Sequence, residues 1–217
     1  MKAVPNVDLA NLGRGWGWKL EQAQHFPHVR QVAEGRGPVA VYQEAGRLDW
    51  TAPWGGWPEH FTRVDYWPAA DTFAAAIAIT DRQLPRPDSP VPVLIYRPPT
   101  LTLGIHGQIE ETQEELLECV AGLFARHGLS VLSLTALAAD AGLKHHPELI
   151  DLAENLNIPY LTYTAETLAK LPNPTHAAVP AALAAMLAAG VKEALVAGED
   201  CGSFTLAVAR RTWVVEG

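Results

Sequence analysis

Cysteine is scarce in this chain of 217 residues: there are two, Cys119 and Cys201, far apart and in no CxxC pair. That argues against a disulfide framework and against a cysteine zinc site, and both residues are expected as ordinary buried thiols. Positive charge is also in short supply. Lysine and arginine number 16 against 24 aspartates and glutamates, a net charge of −8. Residues 1–100 carry ten of each sign and residues 101–217 carry fourteen acidic and six basic side chains, so the surplus sits wholly in the second half. Such a domain repels phosphate backbones, and no basic patch interleaved with aromatics offsets this, so nucleic acid is excluded as an expected partner. No apolar run approaches the roughly 18 to 20 residues of a membrane helix, and the N-terminus lacks a basic stretch followed by an apolar one. A soluble, cytoplasmic protein without a membrane partner is expected.

What is present describes a globular protein: 48% hydrophobic residues and only 18% charged ones. Six of the seven tryptophans precede Asp71 in a region dense in glycine and proline, whereas the stretch after Leu101 is rich in alanine and leucine. Composition predicts a module at 1–97 and a domain at 98–217, with the proline-rich segment 84–92 as a connector. In the first module, Val29 to Glu34 reads as a short helix, and Pro38 to Gln43, Ala74 to Thr80 and Val93 to Tyr96 read as strands. The result is a small, mostly β, Trp-rich unit whose loop from Trp50 to Trp57 crosses one side. Its tryptophans are expected to fill a core that has few other residues, with ligand stacking as the alternative.

The second half alternates strand and helix: strand Thr100 to Ile105, helix Glu111 to His127, strand Leu129 to Ala136 and helix Pro147 to Leu156. Strand Tyr160 to Tyr163, helices Glu166 to Lys170 and Ala177 to Ala189, and closing strands Glu193 to Val196 and Phe204 to Ala209 follow. The first long helix places Leu116, Val120, Leu123 and Phe124 on one face. This order predicts an α/β domain of three layers with a largely parallel sheet, whose ligands bind beyond the carboxyl ends of its strands.

The first such end is Gly104-Ile105-His106-Gly107. Its glycines would let the backbone approach a ligand, although the spacing matches neither GxGxxG nor GxxxxGK. Glu110, Glu111, Glu114 and Glu115 crowd the following helical turn, where they suit the helix dipole and repel an anion. Asp140, Lys144, His145 and His146 follow the second strand and could face His106. Three histidines and an aspartate could bind a divalent ion, which makes His106, His145 and His146 weak metal candidates beside a simpler reading as solvated residues. The segment Gly198 to Ser203 is a third strand end, most simply a turn between two strands.

Taken in order, these segments resemble the CbiG family of cobalamin biosynthesis and its shorter relative CobE. The second half is similar to the family's C-terminal domain through Leu103-Gly104-Ile105 and its Glu-rich helix, Pro147 to Glu154, Pro172-Asn173-Pro174-Thr175, and Phe204 to Arg210. The first half is similar to its middle region through Gly15-Trp16-Gly17-Trp18, Gln43-Glu44-Ala45-Gly46, Thr80-Asp81-Arg82-Gln83 and Arg97-Pro98-Pro99. The family's strand end usually runs Gly-Ile-Gly-Cys-Arg-Arg-Gly-Thr. This chain has Gln108 and Ile109 in place of the arginines, and Gly198 to Cys201 in place of a Lys-Gln-Lys-Ser loop.

The resemblance implies hydrolysis of cobalt-precorrin-5A, opening a lactone and releasing a two-carbon fragment as acetaldehyde. His106 is the available base, and Gly104, Gly107, Gln108, Lys144, Asn173, Thr175, Cys201, Gly202 and Ser203 are the expected ligand contacts. No intrinsic cofactor is expected, since cobalt arrives within the tetrapyrrole. The lost cations also fit an alternative, a non-catalytic corrinoid-binding or accessory protein of the same pathway. Expected partners are a cobalt-corrinoid intermediate and either a separate chain carrying the family's N-terminal segment or another enzyme of the pathway.

Overall fold

The computed structural model describes residues 8–52, 56–67, 72–85, 91–171 and 179–212. The chain forms two compact units, with the change from one to the other between Pro99 and Thr100.

The first unit contains β1 (Lys19–Glu21), α1 (Phe26–Glu34), β2 (Val39–Gln43), β3 (Phe61–Val64), β4 (Ala75–Ile79) and β5 (Val93–Arg97). The strands lie in the order β1-β5-β4-β2-β3, parallel except for β1. The apolar run Ala75–Ile79 is buried at every position, as a strand covered on both faces must be. Val29 and Ala33 of α1 pack with Val39, Val41, Ile77, Ile79, Trp18 and Trp50 on one face, and Ala40, Ala76, Ala78, Ile95 and Trp67 form the other core. Tryptophan thus fills core space, as expected. The segment 84–92, expected to connect modules, falls largely outside the described residues, and the strand that follows it, Val93–Arg97, pairs with β4 in this one sheet.

The strand ends of this unit explain its sequence motifs. Arg97, only 2% exposed, donates to Glu21 and to the carbonyls of Thr80 and Arg82, while Thr80 donates to Glu44. Gln43 donates to the carbonyls of Ala45 and Arg47 and accepts from the Trp50 indole. Motifs far apart in sequence therefore meet as one brace that satisfies buried polar groups.

The second unit runs β6 (Leu101–Gly107), α2 (Gln113–Arg126), β7 (Leu134–Asp140), α3 (Pro147–Leu156), β8 (Tyr160–Tyr163), α4 (Ala165–Leu168), α5 (Pro180–Ala189), β9 (Val196–Cys201) and β10 (Phe204–Arg210). The sheet order is β8-β7-β6-β10-β9. β6, β7 and β8 are parallel, and the closing hairpin β9–β10 adds antiparallel pairs. Leu101, Leu103 and Ile105 alternate onto the α2 and α3 face, where Leu116, Val120, Leu123, Phe124, Leu149 and Leu152 bury them. The other face receives α5, so the unit has three layers, α/β/α. Thr112 and Glu115 cap α2 reciprocally, and Asn157 ends α3 in the left-handed conformation.

Two strand boundaries and the state of the cysteines differ from expectation. Val131–Ser133 forms a short 3-10 turn, so β7 begins at Leu134 and carries Asp140 at its end. β9 extends to Cys201, leaving only Gly202 and Ser203 as the turn, so most of the expected loop 198–203 is strand. The cysteines are also not free thiols: Cys119 on α2 and Cys201 at the end of β9 form a disulfide, with Cα atoms 6.4 Å apart. Their 82-residue separation hid a pairing that becomes local once β9 folds against α2. Among the described residues, no helix is long and apolar enough to cross a membrane.

Candidate functional site

The carboxyl ends of β6 and β7 bring two chemically matched side chains together. His106 and Asp140 lie on adjacent parallel strands and project to the same face as Gly104 and Ala138, and His106 Nδ1 is 2.8 Å from Asp140 Oδ2. A carboxylate can only accept, so Nδ1 donates to it, and in the neutral ring Nε2 is then the nitrogen with the free lone pair. The imidazole is 43% exposed and the carboxylate 26%, which leaves the ring open to a ligand while its partner is more sheltered. Asp140 is fixed in turn: its Oδ1 accepts from the Gly142 amide at the start of the turn Ala141–Leu143.

Tyr160, which sequence reasoning did not single out, donates to the Leu143 carbonyl at 2.8 Å and so ties β8 to that turn. Burial, helped by the Asp140 charge, pushes its phenol up to about 12. The phenol is therefore a persistent neutral donor rather than a base. The signal for it was an aromatic opening a half-buried edge strand, which reads equally well as packing.

The other expected contacts divide clearly. Gly107, Gln108, Gly202 and Ser203 do converge. The Gln108 amide donates to the Ser203 carbonyl at 3.2 Å, and the Ser203 hydroxyl donates to the Gln108 carbonyl at 2.6 Å. Gly107 has φ of +128°, and a Cβ there would lie 2.6 Å from the Ser203 carbonyl oxygen, so this glycine serves the approach of the hairpin. Gly104 is not a ligand contact. It is buried under α5, and a Cβ would press into the Ala181 carbonyl, 2.8 Å from its carbon and nearer its oxygen. Cys201 is committed to its disulfide. Lys144 and His145 are exposed in the turn after β7. His146 is engaged elsewhere, its Nε2 3.1 Å from the Ile109 carbonyl. Among the described residues no three His, Cys, Asp or Glu side chains are grouped to hold a metal, so His106, His145 and His146 do not form a ligand set. Asn173 and Thr175 lie outside the described residues.

The rim is acidic. Glu111 accepts from the Glu110 amide and lies 3.4 Å from the Ser203 hydroxyl, and Asp200 accepts from Thr205. Hydrogen bonds from Thr112 hold the Glu115 carboxyl below its ordinary range, and those from His127 and Arg126 do the same for Glu199. Arg126 is thereby engaged with Glu199.

Residues 101–209, half of the chain, match the family model for the cobalamin synthesis G C-terminus. The chain belongs to this family. Membership gives it a role in cobalamin biosynthesis. Among solved structures, a cobalamin biosynthesis protein G homolog from Sulfolobus solfataricus is 13% identical, with 94% of this chain and 60% of that one covered and a TM-score of 0.43. CobE, a protein from the cobalamin (vitamin B12) biosynthetic pathway, is 26% identical over 52% of this chain and 91% of its own, with a TM-score of 0.44. Cobalamin biosynthesis protein chiG from Agrobacterium tumefaciens str. C58 is 18% identical over 50% and 95%, with a TM-score of 0.43. The chain therefore spans 60% of the length of the Sulfolobus protein. No curated protein matches the sequence.

Proposed function

We propose that the second unit binds a cobalt-corrinoid intermediate at the ends of β6 and β7 and opens its lactone as a cobalt-precorrin-5A hydrolase does. The observation that carries this is the His106–Asp140 pair. Water held at Nε2 loses a proton to the imidazole as its oxygen attacks the lactone carbonyl. The ester C–O bond then breaks, leaving a carboxylate and an alcohol. The two-carbon unit that bears the alcohol departs as acetaldehyde, its C–C electron pair staying on the macrocycle, which takes up the proton. Asp140 acts through His106 as a positioning residue, holding the tautomer and steadying the imidazolium. Cobalt belongs to the substrate throughout.

The test is acetaldehyde release from cobalt-precorrin-5A, with and without a chain supplying the family's N-terminal segment. His106→Ala should lower kcat by about 10² to 10⁴. Asp140→Asn should lower kcat with little change in KM, since the amide can donate to Nδ1 and reverse the tautomer. Release that is unchanged in His106→Ala would refute the base. A second function, binding or delivering the corrinoid without turning it over, is favoured by the acidic turn at Glu110 and Glu111, where Gln108 and Ile109 stand in place of the family's two arginines. Corrinoid binding with no acetaldehyde under any of these conditions would decide for it.

A further inference from the structure

The disulfide takes no part in that chemistry, yet it ties the edge of the sheet to α2, the helix that follows the candidate site. Cys201 ends β9, the edge strand of this sheet among the described residues, which pairs with β10 and shifts register between Leu206 and Val208. Beside the disulfide and the burial of Val196 in the core under α2, β9 is held to α2 by Glu199 with Arg126 and His127, side chains from about a third to more than half exposed. Ion pairs of that exposure contribute little. The covalent bond is accordingly the strong attachment of β9 to α2 at the hairpin end.

What it anchors is connected to the site by hydrogen bonds. Gly202 and Ser203 follow Cys201 directly, and Ser203 exchanges two bonds with Gln108, which is two residues beyond His106. Glu111 also reaches Ser203, and a Cβ at Gly107 would lie 2.6 Å from the Ser203 carbonyl oxygen. Both cysteines are only half-buried, and a disulfide is broken by a thiolate that reaches one of its sulfurs.

We infer that Cys119–Cys201 is a reversible redox latch on the site. A dithiol reduces it by thiol–disulfide exchange. One thiolate attacks a cystine sulfur to form a mixed disulfide, and the second thiol displaces the remaining cysteine. Two electrons and two protons thereby pass to Cys119 and Cys201 as the dithiol becomes a cyclic disulfide. Reduction frees the Gly202–Ser203 hairpin, and the turn from Gly107 to Glu111 loosens with it. The latch rests on the site proposed above only where it concerns ligand affinity; the loosening stands on the hydrogen bonds alone.

The experiment compares oxidised protein, protein treated with excess dithiothreitol under native conditions, and the double variant Cys119→Ser, Cys201→Ser. Reduction should release two titratable thiols with far-UV circular dichroism unchanged. Amide exchange at Gln108 and across 199–206 should accelerate about tenfold while α3 is unaffected. Affinity for cobinamide, the corrinoid probe, should fall several-fold. Resistance to native reduction, equal exchange in both states, or unfolding of the whole unit would each overturn the latch. Faster exchange with no cobinamide binding in either state would keep the latch and refute the ligand site. If the double variant does not fold, native reduction of the wild type decides.

Discussion

Gly104→Ala adds one methyl group where α5 already sits. The new Cβ would lie 2.8 Å from the Ala181 carbonyl carbon, nearer still to its oxygen, and 3.0 Å from the Ala185 Cβ. The obstructing atoms are mostly backbone, so no rotamer change relieves them. Either α5 withdraws or β6 bends. Withdrawal by about 1 Å forfeits a quarter to a half of the dispersion energy at the contact, and Ala181, Ala182, Ala184, Ala185, Met186 and Ala189 are all buried. Overpacking of a well-filled core costs about 1–3 kcal/mol. With a backbone obstruction and a whole helix displaced, the upper end applies, about 3 kcal/mol. For a unit of this size that lowers Tm by about 10 °C. Gly122→Ala is the control. It adds the same methyl group inside α2, where the nearest atom is the movable Arg126 guanidinium at 3.3 Å, and it should stabilise by up to about 1 kcal/mol through helix propensity. Differential scanning calorimetry without ligand measures both. If Gly104 were needed only for the approach of a ligand, Gly104→Ala would leave the unliganded Tm unchanged, and that result would refute the packing argument.

Replacing both cysteines by serine removes a cross-link spanning 82 residues, which in the chain-entropy model is worth about 4–5 kcal/mol, read as a fall in the denaturation midpoint of the second unit. Arg97→Met should cost about 2–4 kcal/mol by urea titration, because the carbonyls of Thr80 and Arg82 lose a buried donor while Glu21 loses its partner. Tyr160 is held neutral up to about pH 12 in the fold, whereas the unfolded phenol ionises near 10. Above pH 10 the unfolded chain releases a proton that the folded one keeps, so stability should fall as pH rises from about 10 to about 12. Tyr160→Phe should flatten the Tm profile across that window, and an equally steep profile would exclude Tyr160 as its source.

Much of this architecture is legible in the sequence where local chemistry decides it. The helix Pro147–Leu156 is readable to the residue, because proline opens it and Asn157 closes it in a conformation that asparagine tolerates. The buried face of α2 follows from its periodicity alone. β9 was hidden because it is an edge strand with exposed Ala197, Gly198 and Asp200, so it shows neither alternation nor an apolar run. The disulfide and the seat of α5 on Gly104 depend on which elements become neighbours, and local composition carries no trace of that. The same holds at the site. His106 is recognisable as a strand-end base, and Asp140 as a residue able to face it. Their pairing needs the parallel register of β6 and β7, and Tyr160 needs the reach of its ring across to Leu143.

The family's two arginines fall at Gln108 and Ile109, and the structure separates these positions. Ile109 packs against the core and offers its carbonyl to His146, so a charged side chain there would cost packing. Gln108 is bonded to Ser203 through its backbone and has an exposed side chain. Gln108→Arg should therefore leave the stability unchanged to within about 0.5 kcal/mol, as surface changes generally do. It restores one cation to an acidic rim. An exposed pair with a corrinoid carboxylate is worth about 0.2–1 kcal/mol, so affinity for a carboxylate-bearing corrinoid should rise by up to about fivefold, a gain that disappears at high salt. Cobinamide, whose peripheral groups are amides, should gain nothing. Equal improvement for both ligands, or improvement that survives high salt, would show that Gln108 acts on the turn and not on the charge of the rim.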